Sequence, residues 1–274
     1  MIEKIKIAWF GKHFGEEPPL AGDDSQGSGA IFFSGCNLRC VFCQNFQISQ
    51  EMLGKDYTVE ELAEIMIKLQ AQGAININLV TSTIWRQQIK AALIIAKGKG
   101  LNIPIMWNSN GYDDIKILKE MNGLIDIYLP DFKYGIDEVG LKYSGVKNYT
   151  IAAISAIQEM LAQVGNLKID ENKIAKKGLI VRHLILPNNI DNSISALKLL
   201  ADIDKNIFIS LMRQYFPLHK ALEYPEIMRK INEEEFKKVY DAFLNIGFSN
   251  GWIQEDECEN ALIPDFTKQN PFEK

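Results

Sequence analysis

Ala30-Ile31-Phe32-Phe33-Ser34-Gly35-Cys36-Asn37-Leu38-Arg39-Cys40-Val41-Phe42-Cys43 is the stretch on which the reading of this chain turns. Its first four residues form a short apolar run, the pattern of a buried strand. Three cysteines follow within eight residues, spaced C-x3-C-x2-C, so they fall in a loop at the carboxyl end of that strand. In folds built on parallel strands, that end is where chemistry is assembled.

Outward from this strand the same unit recurs. Thr58-Val59-Glu60-Glu61 reads as a capping box, and Val59, Leu62, Ile65, Met66 and Leu69 share one helical face. Ile75, Ile77 and Leu79 alternate with Asn76 and Asn78, the period of a strand. Further strands are predicted at 103–107, 125–131, 179–186 and 207–212. Helices are predicted near 86–97, 113–121, 150–163, 193–202 and 233–245. Strand followed by helix, about six times over, implies a parallel sheet covered by helices. A closed barrel wants eight such units, so six predict an α/β partial (β/α)6 barrel in one domain. Residues 30–254 are assigned to its core, 1–29 to an N-terminal extension and 255–274 to a C-terminal tail. The lysine-rich segment 165–178 reads as a surface loop or a helix end.

Lys plus Arg is 30 against 35 Asp plus Glu, a net charge of −5, which argues against a nucleic-acid footprint. No apolar run approaches the roughly 20 residues of a membrane span, and Met1-Ile2-Glu3-Lys4-Ile5-Lys6 lacks the core of a signal peptide. The expectation is a cytosolic (cytoplasmic) protein that binds neither nucleic acid nor membrane. There are four cysteines in all, and their crowding points to a metal or redox centre rather than a disulfide framework.

Three thiolates on a short loop can hold three corners of a [4Fe–4S] cubane, leaving the fourth iron open. An open position is what a catalytic centre needs. Phe42 can pack beside such a cluster and help exclude water. The alternative is a structural zinc site completed by Cys258, His13, His183 or His219, although no second C-x2-C half is present. Cys258, in an acidic stretch, reads as incidental.

C-x3-C-x-aromatic-C after a strand is similar to the radical S-adenosylmethionine (SAM) signature. The text from Phe32 to Cys40 resembles the pyruvate formate-lyase activating enzymes and a poorly characterised branch of their homologues, over almost the whole chain from Trp9 to Phe272. The resemblance implies a partial barrel of the radical SAM type that binds a [4Fe–4S] cluster and SAM. It implies that an electron cleaves SAM to methionine and a 5′-deoxyadenosyl radical, which abstracts hydrogen. It also implies an electron donor such as flavodoxin or ferredoxin, and a protein substrate of the glycyl radical kind. A small-molecule or peptide-modifying enzyme, or an iron–sulfur electron-transfer protein, are the other readings.

Other strand ends supply candidates. Asp131 and Lys133, two apart, face the same side, either as a plain ion pair or as a grip on a cofactor. They resemble the family's D-x-K element, which contacts SAM or positions the chemistry. Trp107-Asn108-Ser109-Asn110-Gly111-Tyr112 reads as a strand-ending turn. Its resemblance to the family's D-T-N-G segment puts Asn108 and Ser109 near the SAM ribose. Arg182 interrupts an apolar strand and requires a carboxylate partner, either Asp131 or, as the family's matching arginine implies, that of SAM. His183 faces the other way, as a core histidine. Gln214 or Tyr215 could reach substrate, and packing explains Tyr215 equally well. Where activating enzymes carry a Gly-Gly-Glu-type turn for the SAM amino group, this chain has Thr81-Ser82-Thr83-Ile84, so Thr81 is the candidate there.

Overall fold

A computed structural model describes residues 4–23, 25–253 and 263–273. Its strands are β1 (Ile5–His13), β2 (Ser28–Phe33), β3 (Lys55–Tyr57), β4 (Ile77–Val80), β5 (Ile105–Ser109), β6 (Ile127–Pro130), β7 (Lys168–Ile169), β8 (Ala175–Leu184), β9 (Phe208–Met212) and β10 (Gly251–Ile253). The helices are α1 (Pro18–Ala21), α2 (Phe46–Ser49), α3 (Val59–Ala71), α4 (Arg86–Gly98), α5 (Ile115–Met121), α6 (Asp137–Ser144), α7 (Tyr149–Val164), α8 (Ile190–Ile203) and α9 (Glu233–Ile246). The sheet runs β10-β9-β8-β6-β5-β4-β2-β1-β3, with β7 paired to β8. From β2 to β10 every neighbouring pair is parallel. The path ends at β10 and β3 without joining, so the barrel is open.

The six strands read from the sequence are β2, β4, β5, β6, β8 and β9. Their near-continuous apolar runs follow from burial on both faces. The capping box at the start of α3 is formed: Glu61 N–H donates to Thr58 Oγ1 at 3.2 Å, and Thr58 N–H donates to the Glu61 carboxylate at 2.7 Å.

Two segments differ from the sequence reading. Residues 165–178 hold the β7–β8 hairpin rather than a loop or helix end. Asp170 Oδ1 accepts the amides of Asn172 and Ile174, each at 2.9 Å, and so makes the turn. Within residues 1–29, β1 pairs antiparallel with β2, and the chain after it turns into the barrel lumen, where Leu20 is fully buried.

Alternation along each strand divides the core in two. One set packs the sheet against the helices. The other fills the lumen, where Leu20, Met106, Ile127, Leu129, Ala175 and Ile180 form an apolar floor. Two residues on from Met106, Leu129 and Ile180 stand Asn108, Asp131 and Arg182, so these share the inward face. Register keeps them level: Val80 is opposite Asn108, Asp131 bridges Arg182, and Arg182 is opposite Ser210.

His183 is fully buried, with Nδ1 2.6 Å from the Phe132 carbonyl. Burial lowers its pKa to about 4 from 6.5. The unfolded chain therefore takes up a proton near 6.5 that the folded one refuses until about 4. Stability contributed above that window is lost as pH falls through it, about 2 kcal/mol by pH 5. Denaturant titrations across this range should show the slope in the wild type and a flatter line in His183→Gln. A wild type with no slope would contradict it.

Candidate active site

A cavity of about 620 Å³ opens at the carboxyl ends of the parallel strands. Its volume falls within the range of pockets for cofactor-sized ligands, roughly 300–1,000 Å³. Cys36, Cys40, Phe42 and Cys43 line one wall. Thr81, Asn108 and Ser109 line another, and Asp131, Lys133 and Arg182 a third. All ten sequence-predicted residues therefore border the same space.

The cysteine loop is pinned from several sides. Gly35 has φ +89, and its N–H donates to the Ile48 carbonyl at 2.9 Å, which turns the chain away from β2. Arg39 and Val41 amides donate to the Ser144 and Tyr143 carbonyls at the end of α6. Each sulfur has a polar neighbour. Cys36 Sγ accepts from Leu38 N–H at 3.4 Å and Asn110 Nδ2 at 3.3 Å. Ser144 Oγ donates to Cys40 Sγ at 2.9 Å, and Ser49 Oγ lies 3.2 Å from Cys43 Sγ. Burial pushes the Cys40 thiol up to about 12, with Lys133 acting against it, and burial raises Cys43 as well. Metal binding at these sulfurs therefore has to displace protons. Phe42 is buried, its ring edge-on to Tyr215 with centroids 5.8 Å apart.

Asp131 and Lys133 form an ion pair. Burial works against the lysine's charge, but the facing carboxylate outweighs it and holds the ammonium above its usual range. The backbone beneath is fixed by Tyr149, whose hydroxyl accepts from Lys133 N–H at 2.9 Å and lies 2.9 Å from both the Asn110 and Asp131 carbonyls. Thr81 has φ +62, a left-handed backbone that a β-branched residue rarely adopts. Such strain gathers at functional sites.

Ser109 reaches the cavity wall, yet its hydroxyl donates at 2.5 Å to Asp113, which Thr83 Oγ1 also serves at 2.6 Å. Asp113 is buried, and burial raises its carboxyl pKa despite these donors. Asn110 holds the cysteine loop through Cys36 and through Asn37 Oδ1 at 2.6 Å. Its spacing two residues from Asn108 was the signal available in the sequence. Tyr215 is core: its hydroxyl donates to the Ile227 carbonyl at 2.7 Å. Gln214 lines the cavity.

The partner of Arg182 is neither Asp131 nor an open space. Its guanidinium is ion-paired with Glu16 and Glu17, which also line the cavity. Both glutamates lie in the segment read as an extension, where no strand end marks them. The other end of the chain enters too: Pro264 and Phe272 line the cavity, and Phe272 lies 4.3 Å, ring to ring, from His13. His219 stacks on Phe46 instead, and Cys258 lies outside the described residues. Among the described residues no three His, Cys, Asp or Glu side chains group as a single-ion site, and no helix is long and apolar enough to cross a membrane.

A sequence model of the Radical SAM superfamily matches residues 30–168. The chain belongs to the radical SAM superfamily, a family of enzymes whose members in general bind SAM and a [4Fe–4S] cluster. An uncharacterised protein of Methanocaldococcus jannaschii is 34% identical over 239 residues, covering 84% of this chain and 64% of that protein. The pyruvate formate-lyase-activating enzyme of Clostridium pasteurianum is 26% identical over 183 residues, 65% of this chain and 69% of that enzyme. Among solved structures, the FeFe-hydrogenase maturase HydG of Carboxydothermus hydrogenoformans matches with a TM-score of 0.57 at 15% identity, over 84% of this chain and 54% of that one. Streptococcus suis SuiB bound to S-adenosylmethionine matches with a TM-score of 0.52 at 12% identity, over 81% and 45%. The chain thus spans 64% and 44% of the first two curated relatives' lengths. The structural likenesses bear on the fold alone.

Proposed function

We propose that this chain holds a [4Fe–4S] cluster on Cys36, Cys40 and Cys43, binds SAM in the adjoining cavity and initiates hydrogen abstraction. The observation that carries the reading is the meeting of three hydrogen-bonded sulfurs with Asp131, Lys133 and Arg182 on one cavity. The donor set suits a cluster: iron–sulfur centres take cysteinate, one per iron, and hydrogen bonds to the sulfurs tune them. A single zinc ion would instead need its ligands gathered about one point, and among the described residues no three such side chains are so grouped. When bound, cluster and SAM supply reductive cleavage of the sulfonium to methionine and a 5′-deoxyadenosyl radical.

The protein's own part is binding, orientation and the exclusion of water. Phe42 covers the cysteine loop on its apolar side. Lys133, kept charged by Asp131, offers an ammonium to an anionic group, and Asn108 offers an amide from the level of Val80. Thr81 presents polar atoms where the family receives the SAM amino group, and Ser109 keeps the turn beside it through Asp113. Arg182 receives the SAM carboxylate. An electron donor of the flavodoxin or ferredoxin type supplies the reducing equivalent.

The substrate reading follows the likeness to the activating enzyme: a protein that presents one residue to the cavity, as in glycyl radical enzyme activation. The second reading, a small-molecule or peptide substrate, is favoured by the lining of the cavity by both ends of the chain, Glu16–Pro18 and Phe272. These narrow the lumen that a macromolecule would enter.

Arg182→Ala and Asp131→Ala should each weaken SAM binding about ten- to a hundredfold, the first by losing one charge-assisted contact and the second by releasing Lys133 from the pair that holds it. Iron content should stay at the wild-type level. Arg182→Lys, which keeps a cation beside Glu16 and Glu17, serves if the alanine variant fails to fold. Unchanged affinity in folded, iron-loaded variants would return both residues to structural ion pairs.

A further inference from the structure

The clamp on Arg182 comes from outside the six strand–helix units. Glu17 takes the guanidinium side-on, Nε donating to Oε1 at 2.8 Å and Nη2 to Oε2 at 2.5 Å. Glu16 also accepts from Nη2, and is itself held by Asn78 Nδ2 at 2.7 Å. Ser210 is the register partner of Arg182 and lines the same cavity. The glutamate side chains are 6% exposed and that of Arg182 is 14% exposed. Nε and Nη2 are thus committed to protein acceptors, while Nη1 makes no hydrogen bond among the described residues and Arg182 borders the cavity.

A free arginine side chain loses much rotamer freedom when it grips a ligand. A clamp takes that loss at folding, so binding does not bear it. The opposing effect is that two carboxylates neutralise the charge that would attract a third. Bidentate geometry decides for the first effect: it fixes the plane of the fork as well as its position.

Resting on the reading that Arg182 receives the SAM carboxylate, we propose that Glu17 is the positioning residue for it. Its side-on grip on Nε and Nη2 presents the uncommitted Nη1 edge to the cofactor. The SAM pocket is therefore completed by the segment between β1 and β2.

The test is equilibrium dialysis of labelled SAM against oxidised, cluster-loaded protein, in which no turnover occurs. Glu17→Gln should raise the Kd about tenfold with iron content and unfolding midpoint close to wild type. In an Arg182→Lys background the same change should cost less than about twofold, because an ammonium has no plane to hold. Should Glu17→Gln fail to load iron, Glu17→Asp, which keeps the charge at shorter reach, takes its place in the same cycle. Unchanged or tighter SAM binding in the Glu17 variant would overturn the proposal, as would equal losses in both backgrounds. If Arg182→Lys itself binds SAM like the wild type, the reading of Arg182 falls, and the proposal with it.

Discussion

Alanine at Cys36, Cys40 or Cys43 should take anaerobically reconstituted protein from about four irons per chain to near none, and abolish SAM cleavage with it. The size of the effect follows from the shortness of the loop. With one thiolate per corner, two remaining sulfurs leave two irons without a protein ligand. Each sulfur also sits against its own polar partner, Asn110, Ser144 or Ser49, so none is a spare. Iron assay and the brown absorbance of the cluster check this directly. A variant that keeps full iron would show that its sulfur is not a ligand. Stoichiometric zinc in the wild type, with no iron taken up, would sink the cluster assignment.

Gly111→Ala should be strongly damaging at the turn that backs the site. Gly111 has φ +76, where an added Cβ is strained. That Cβ would stand 2.2 Å from the Asp131 carbonyl oxygen and 3.2 Å from Tyr149 Oη. The backbone oxygen cannot swing aside, because Asp131 bridges Arg182 and its carbonyl meets the Tyr149 hydroxyl. Left-handed strain and overpacking together should cost about 2–4 kcal/mol. Part of the shift would reach the site, since Asn110, one residue back, holds Cys36 and the carbonyl of Asp131 lies beneath the Lys133 pair. We expect a lower unfolding midpoint together with weakened SAM binding. A variant as stable as the wild type would contradict the packing described for this turn.

These two sites differ in how far they could be read from sequence. The cysteine spacing is local, and β2 before it is an apolar run, so motif and strand end were legible together. The same holds for β4, β5, β6, β8 and β9, whose burial on both faces leaves a pattern in the chain itself. Asp131 and Lys133 were legible because they continue such a strand. Glu16 and Glu17 carry no periodic signal. They meet Arg182, 165 residues or more away, only because the chain returns into the lumen after β1. Asp113 was hidden for a similar reason: its partners Thr83 and Ser109 come from two different strand ends. Phe266 and Phe272 sit on Phe32 of β2 with centroids 5.5 Å away in each case, a contact across more than 230 residues that spacing cannot disclose.

The central claim is that this site cleaves SAM reductively. It is tested most directly by incubating anaerobic, cluster-loaded protein with SAM and dithionite or a reduced flavodoxin, and measuring 5′-deoxyadenosine by mass spectrometry. The account predicts slow formation of 5′-deoxyadenosine and methionine even without substrate, and none in the Cys36→Ala, Cys40→Ala or Cys43→Ala proteins. Deuterated lysate fractions added to the same assay should pass deuterium into the product from the fraction that holds the substrate, protein or small molecule. Protein that carries a full cluster and binds SAM, yet forms no 5′-deoxyadenosine with any reductant or fraction, would contradict the account.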